Sequence, residues 1–436
     1  MELWLSIAGF LIFLVGLMIS IGLHEIGHLV PAKRFGVRVP QYMIGFGPTM
    51  WSRRKGETEY GIKWIPMGGY IRMIGMLPPR PSDDPSKLRE TSTGMFQGLV
   101  DNARDAALEE IRPGDEHRVF YRKPWWQKVI IMAGGPAMNF VLAFVLFAVL
   151  LMGFGVRVSQ PVVDFVTECA KSEAAFKQDS KCGPGDKPSP AAAAQLRPGD
   201  RIVAVDGKRV ADWEAASRAI RSSGGGPATI GIERAGRPLT VTANLIPQDR
   251  ESLDEPGKID KGVGFLGVSP VITMERQSIG AVGVYMGNLT TATAGALLRL
   301  PEKMVGVWEA AFSGEKRDPN GPIGIVGAGR IGGEIAASEA PVLDKIAFFV
   351  QLLAGFNLAI GVFNLLPLLP MDGGHVAGAL WEGVKRGFAR LTRRPTPGYV
   401  DIAKLLPLTY GVAAVMVVMA VLLVYADVVN PVRLAG

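Results

Sequence analysis

Four long apolar runs separated by polar stretches predict four membrane-spanning helices, at residues 3–23, 129–156, 346–366 and 405–425. Each is close to the ~20 apolar residues that cross the hydrocarbon core of a bilayer. Between the first two, residues 37–76 lose the helical period. Gly45-Phe46-Gly47-Pro48 and Ile65-Pro66-Met67-Gly68-Gly69-Tyr70 mix glycine, proline and aromatics, which predicts β-hairpins lying against the membrane. Residues 77–121 are polar and of mixed charge, a linker with one short helix near 95–111 and an exposed loop histidine, His117. The second run contains Gly134-Gly135-Pro136 and Asn139. Small residues there allow either close helix approach or a local break beside a cavity, with Asn139 facing the bundle interior.

From residue 157 to about 270 the composition turns to that of a soluble domain. The string from Leu196 to Val210 reads as turn, strand, Asp206-Gly207 hairpin and strand. A helix over 212–221 and strands near 228–233 and 239–245 follow. Residues 279–312 are apolar but broken by Arg299, Glu302 and Lys303, which suits an amphipathic helix or helix pair at the outer interface. Gly327-Ala328-Gly329-Arg330-Ile331-Gly332 matches G-x-G-x-x-G, yet no alternating strands and helices surround it. The expectation there is a glycine-rich loop and no dinucleotide site.

The 436 residues are 48% hydrophobic, which agrees with a membrane protein of two or three domains. The formal charge of +7 is uneven, with Lys and Arg in excess over residues 33–128 and 385–404. No compact basic patch interleaved with aromatics supports nucleic-acid binding. The positive-inside rule instead places both regions in the cytoplasm and both termini outside. A cleavable signal peptide fits poorly, because the leading charge is Glu2 and no polar cleavage region follows the apolar run. The two cysteines, Cys169 and Cys182, fall on the outer side, where a disulfide or two separate thiols are both open.

Three ionisable groups end the first apolar run, in Ser20-Ile21-Gly22-Leu23-His24-Glu25-Ile26-Gly27-His28. On a helix His24 and His28 leave the same face, and Glu25 lies beside them. This is the H-E-x-x-H arrangement, two imidazoles for zinc and a carboxylate as proton acceptor. His24 lies about 30 Å along the helix from Leu3, in the inner part of the bilayer or at its edge. A helix end merely capped by histidines is the plainer reading. A catalytic zinc takes a third protein ligand, and among the other apolar segments Asp372 and His375 are the good candidates. Charge balance favours Asp372: one dication, Asp372 and Glu25 ionised and two neutral imidazoles sum to zero. Pro367 and Pro370 would end the preceding helix, and Gly373 and Gly374 allow close backbone approach.

Leu196 to Val210 resembles a PDZ domain of bacterial envelope proteases, in which a sheet edge accepts a peptide strand. Taken together with His24-Glu25-Ile26-Gly27-His28, Gly45-Phe46-Gly47-Pro48, Pro66-Met67-Gly68-Gly69-Tyr70, Gly321-Pro322-Ile323 and Asn364 through His375, the chain resembles the site-2 proteases over nearly its whole length. These are intramembrane zinc metalloproteases, and the single PDZ-like string is closest to the actinobacterial branch of the regulator-of-sigma-factor type. The resemblance implies a polytopic α-helical membrane protein of about four transmembrane helices, with membrane-associated β-hairpins and an inserted extracytoplasmic PDZ domain.

It divides the chain into 1–36, first span; 37–76, β region; 77–126, cytoplasmic linker; 127–156, second span; and 157–270, PDZ domain. Then come 271–344, interfacial helices and glycine-rich loop; 345–375, third span; 376–404, basic cytoplasmic segment; and 405–436, fourth span and tail. It implies one Zn2+ per chain on His24, His28 and Asp372, with Glu25 as general base and Asn364 on the substrate backbone or oxyanion. An unwound substrate strand would pair near Gly68, Gly69 and Tyr70. The implied substrates are single-span membrane proteins such as anti-sigma factors, first shortened outside by a site-1-type protease, in the bacterial plasma membrane. Many members carry Asn-x-x-Pro-x-Pro-x-Leu-Asp-Gly. Here the second proline comes one place later and Met371 replaces leucine. A catalytically silent PDZ-bearing scaffold and a zinc transporter are the rival classes. Glu25 beside a full ligand set speaks against the scaffold, and the lack of a chain of further ligands speaks against the transporter.

Overall fold

The computed structural model describes residues 2–79, 100, 103–104, 107–109, 111–171, 182–183, 185–254, 258–315, 317–318, 321–395 and 397–432. The helix expected over 95–111 falls partly outside them; residues 100, 103–104 and 107–109 are helical. The chain forms two compact units, one of residues 1–153 with 278–436 and one of residues 154–277.

In the first unit the helices are α1 (Glu2–Arg34) and α2 (Trp125–Ala148), the latter continued by one wide turn over Val149–Phe154. Four helices are long and apolar enough to cross a membrane: Leu3–Arg34, Trp125–Phe154, Val342–Asn364 and Ile402–Val429. Gly134-Gly135-Pro136 does not break α2. A Cβ on Gly134 would lie 2.0 Å from the Gly27 carbonyl, so these glycines serve the close approach of α1 and α2.

Strands β1 (Gln41–Lys55) and β2 (Thr58–Arg72) form the β region. Both bend, so that residues 41–44 lie between 59–62 on one side and 69–72 on the other, while 51–55 fold back on 58–62. The Tyr42 hydroxyl donates to the Gly22 carbonyl at 2.8 Å and fastens this sheet to α1.

The second unit comprises β3 (Val156–Val166), α3 (Pro190–Ala193), β4 (Arg201–Val205), β5 (Lys208–Arg209), α4 (Trp213–Ser222), β6 (Gly226–Arg234), β7 (Arg237–Glu251), β8 (Ile259–Phe265) and β9 (Val268–Glu275). Its sheet runs β8-β7-β6-β4-β3-β9, with β5 on β4. The β4–β5 turn is Asp206-Gly207, both at positive φ (47° and 75°), as its residues require. Val163, Ile202, Ile230, Ile232, Leu245 and Leu266 fill the core. Asp212 caps α4 by accepting from the Ala215 N–H at 2.8 Å. Cys169 and Cys182 are joined by a disulfide.

Returning to the first unit, α5 (Ile279–Leu298) and α6 (Leu300–Phe312) are a helix pair jointed at Arg299. Residues 327–332 correct the sequence expectation: they lie inside a helix, α7 (Ile325–Ala337), and not in a loop. Glycine costs ~1 kcal/mol in a helix interior, which is why the string reads as irregular. Contact with α1 overrides that cost. A Cβ on Gly329 would meet the Phe10 ring at 2.3 Å, and one on Gly333 would meet the Ser6 carbonyl at 2.8 Å. Beyond α7 come α8 (Val342–Asn364), α9 (Asp372–Leu391) and α10 (Leu406–Val429). Asp427 on α10 accepts the N–H groups of Gly324 and Gly327 at 2.9 and 2.8 Å, capping α7 from outside its own chain segment, and pairs with buried Arg317.

Candidate metal centre

One turn of α1 carries His24 and His28, both buried, with their Nε2 atoms 3.2 Å apart. Asp372 opens α9 after a tight turn over residues 365–371. Gly373 and Gly374 make that turn fit, since a Cβ on either would lie 2.3 Å from Leu366 O or 2.7 Å from Leu369 N. The turn brings Asp372 Oδ2 to 3.3 Å from His24 Nε2 and 3.2 Å from His28 Nε2.

These three edges suit a metal. A tetrahedral ion with bonds of ~2.0 Å has ligand atoms about 3.3 Å apart. Among the described residues His24, His28 and Asp372 are the group of His, Cys, Asp or Glu that could hold an ion. Room is kept for one by Gly135 on α2: a Cβ there would lie 2.2 Å from His28 Nε2 and 2.7 Å from His24 Nε2. His375, the other sequence candidate, is not in the group, and its Nδ1 has no partner.

Helix α2 also fixes the imidazoles. Each Nε2 can offer its lone pair only if the proton is on Nδ1. His28 Nδ1 donates to the Ile131 carbonyl at 2.8 Å. His24 Nδ1 lies 3.1 Å from the side-chain amide of Asn139, which is 1% exposed. The same tautomer at His24 requires that amide to turn its oxygen to the ring. Asn139 thus faces the bundle interior, while its contact with His24 has no signature in local sequence spacing. Asn357 on α8 was not singled out by sequence either. Its amide donates to Ser20 Oγ at 2.9 Å, one turn before His24.

Glu25 is 8% exposed and reaches the backbone N–H of Ile71 on β2. Gly69 leaves it space, because a Cβ there would stand 3.1 Å from Glu25 Cγ. Gly68 is at positive φ beneath the Phe46 ring, and Tyr70 stacks on Phe46 at 6.2 Å between centroids. Thus the β2 segment 68–71 borders Glu25. Asn364 ends α8, half-buried, and among the described residues makes no hydrogen bond to His24, His28 or Asp372. His117 is exposed.

The profile of peptidase family M50 matches residues 12–408. Zinc metalloprotease Rip1 of Mycobacterium tuberculosis is 34% identical over 439 residues, covering 98% of this chain and 99% of the relative. The Mycolicibacterium smegmatis protein of that name is 33% identical over 97% and 98%. Metalloprotease MmpA of Caulobacter vibrioides is 28% identical over 87% and 88%. With nearly its full length matched, the chain belongs to peptidase family M50, the site-2 proteases, and is a multi-pass membrane zinc metalloprotease.

Proposed function

We propose that His24, His28 and Asp372 hold the zinc and that Glu25 is the general base for hydrolysis of a peptide bond within or next to the transmembrane segment of single-span membrane proteins. The convergence of three ligand atoms from helices almost 350 residues apart carries this reading. When bound, zinc supplies Lewis acidity that polarises a carbonyl and lowers the pKa of water. The chain's own groups do the rest. Ile131 and Asn139 hold the imidazoles, Glu25 accepts a proton and later returns it to the leaving amine, and Asn364 contacts the substrate backbone or oxyanion.

A helical substrate hides its carbonyls in its own hydrogen bonds, so it must unwind. The edge of β2 near Gly68, Gly69 and Tyr70 is the place we assign to the unwound strand, supported by the border it shares with Glu25. The unit of residues 154–277 is read as an extracytoplasmic PDZ domain. Its support is a sheet with α4 beside it and a groove lined by Trp213, Ile220, Leu253, Phe265 and Leu266. That domain would hold back substrates with bulky ectodomains until a site-1-type protease has trimmed them, and anti-sigma factors are the proposed substrates. The excess of Lys and Arg in the basic segments supports an active site toward the cytoplasmic side and both termini outside.

The second reading, a catalytically silent scaffold, rests on that groove alone. Glu25→Gln decides between them in a reconstituted assay with a single-span reporter. Loss of cleavage with zinc content kept near one per chain supports the protease; cleavage at the wild-type rate removes Glu25 from the mechanism.

A further inference from the structure

Helix α9 has two faces of opposite character. On one, Ala379, Glu382 and Ala389 are buried, Glu382 meets Lys128 of α2 at 2.7 Å, and Gly383 lies beneath the Trp125 ring. On the other, Leu380, Trp381, Val384, Phe388 and Leu391 stand at i, i+1, i+4, i+8 and i+11, a single stripe along the helix. Every one is exposed, from 46% at Leu380 to 84% at Leu391. Among the described residues nothing covers this stripe, although it begins two turns after Asp372.

Charge defines what can cover it. Lys385 and Arg386 flank the stripe, and exposed Arg390, Arg393 and Arg394 follow at the helix end. After Asp372 the helix has one acid, Glu382, which is already matched by Lys128 and Arg386. The covering surface must therefore be apolar where it meets the stripe and anionic at its border. A second copy packed face to face on the same stripe would bring the same arginines and be repelled. A bilayer with acidic headgroups has both properties, and it is always adjacent to a unit with four helices long enough to cross it. Trp381 suits the interfacial layer, where an amphipathic ring is best accommodated.

We propose that the outward face of α9 is a docking surface for anionic lipid. The stripe enters the acyl boundary, and Arg390, Arg393 and Arg394 pair with lipid phosphates. The helix that begins with Asp372 is thus seated on α2 by one face and on the leaflet by the other. This goes beyond the protease reading and is measured without substrate, so either can fail alone.

The test uses the full chain in vesicles of phosphatidylcholine, alone or with phosphatidylglycerol. Trp381 emission is isolated as the difference between the wild type and Trp381→Phe. With phosphatidylglycerol present, that emission should be quenched by brominated acyl chains and shielded from iodide. Arg390→Gln/Arg393→Gln/Arg394→Gln should demand roughly a hundredfold more anionic lipid for the same shielding, at about fivefold per arginine. The corresponding triple lysine variant should restore it, separating charge from folding. Equal iodide access in both vesicles would overturn the proposal. So would shielding that follows protein density, which would mark a protein interface, or shielding indifferent to the three arginines.

Discussion

Lys128 Nζ sits 2.7 Å from Glu382 Oε2 with both side chains buried, and this pair joins α2 to α9. Helix α2 provides the Ile131 carbonyl and Asn139 that orient the two histidines, and α9 begins with Asp372. Two of the proposed ligands therefore belong to α1 and one to α9, with α2 as their common reference. Sliding α9 along α2 would move the carboxylate away from the imidazoles. The ion pair, strengthened by Arg386 at 2.7 Å from Glu382, resists that motion.

Lys128→Met should loosen this register. An unmatched buried charge costs several kcal/mol, but Arg386 still compensates Glu382, so a loss of about 2 kcal/mol is expected. Reporter cleavage should fall roughly tenfold in kcat, as for a site held slightly out of place, with KM little changed. Lys128→Arg should recover most of both. Thermal unfolding in detergent and turnover kinetics check this, and a variant with wild-type kcat would show that the pair does not set the position of Asp372.

Asn139→Leu should lower zinc affinity by about 10–100-fold, the usual effect of removing the partner of a metal-binding histidine. The fold should survive, since leucine has a similar volume. Competition with a chromogenic chelator reads the affinity directly, and wild-type retention of zinc would deny Asn139 its role at His24.

Much of the candidate site was legible because its chemistry is local. His24, Glu25 and His28 share one helical turn, and Asp372 stands out as a carboxylate at the end of an apolar run. The four apolar helices were legible for the same reason, as a long run without charge has few soluble alternatives. What the sequence concealed depends on contacts between distant segments. Asn139 reads as one polar residue in a span until α2 lies against α1. Residues 327–332 read as a loop because the packing that rewards a glycine-rich helix comes from Ser6, Gly9 and Phe10, more than 300 residues earlier. His375 is adjacent to the ligand motif yet outside the cluster, since the first turn of α9 points Asp372 at the histidines.

Gly135→Ala should empty the site without unfolding the chain. The added methyl would lie 2.2 Å from His28 Nε2, a separation no neighbour tolerates, so an imidazole must leave the ligand position. Gly287→Ala on α5, with nothing within 4 Å of its Cβ, is the control and should keep zinc and activity. Metal analysis after purification should give near zero for the first and about one per chain for the second. Full zinc in Gly135→Ala would show that this glycine does not shape the centre.

The second unit carries a pH-dependent contribution of its own. Burial of Asp200 opposes its ionisation, but the guanidinium of Arg234, at 2.7 Å from Oδ1 and 2.8 Å from Oδ2, and the Arg197 N–H at 2.8 Å hold its carboxyl below the ordinary range. A carboxylate depressed in the folded state stabilises fully above its unfolded pKa of about 3.9, and that stabilisation is lost as pH falls through the lower folded value. Arg234 is partly open to water, which tempers the pair. At neutral pH, Asp200→Asn should therefore speed hydrogen exchange of the Ile230 and Ile232 amides by roughly five- to thirtyfold, with fast local closing, and leave zinc content unchanged. In acid, below the folded pKa, wild type and variant should converge. A gap between them that persists unchanged into that range would mean that packing, and not the ionised carboxylate, is what Asp200 contributes.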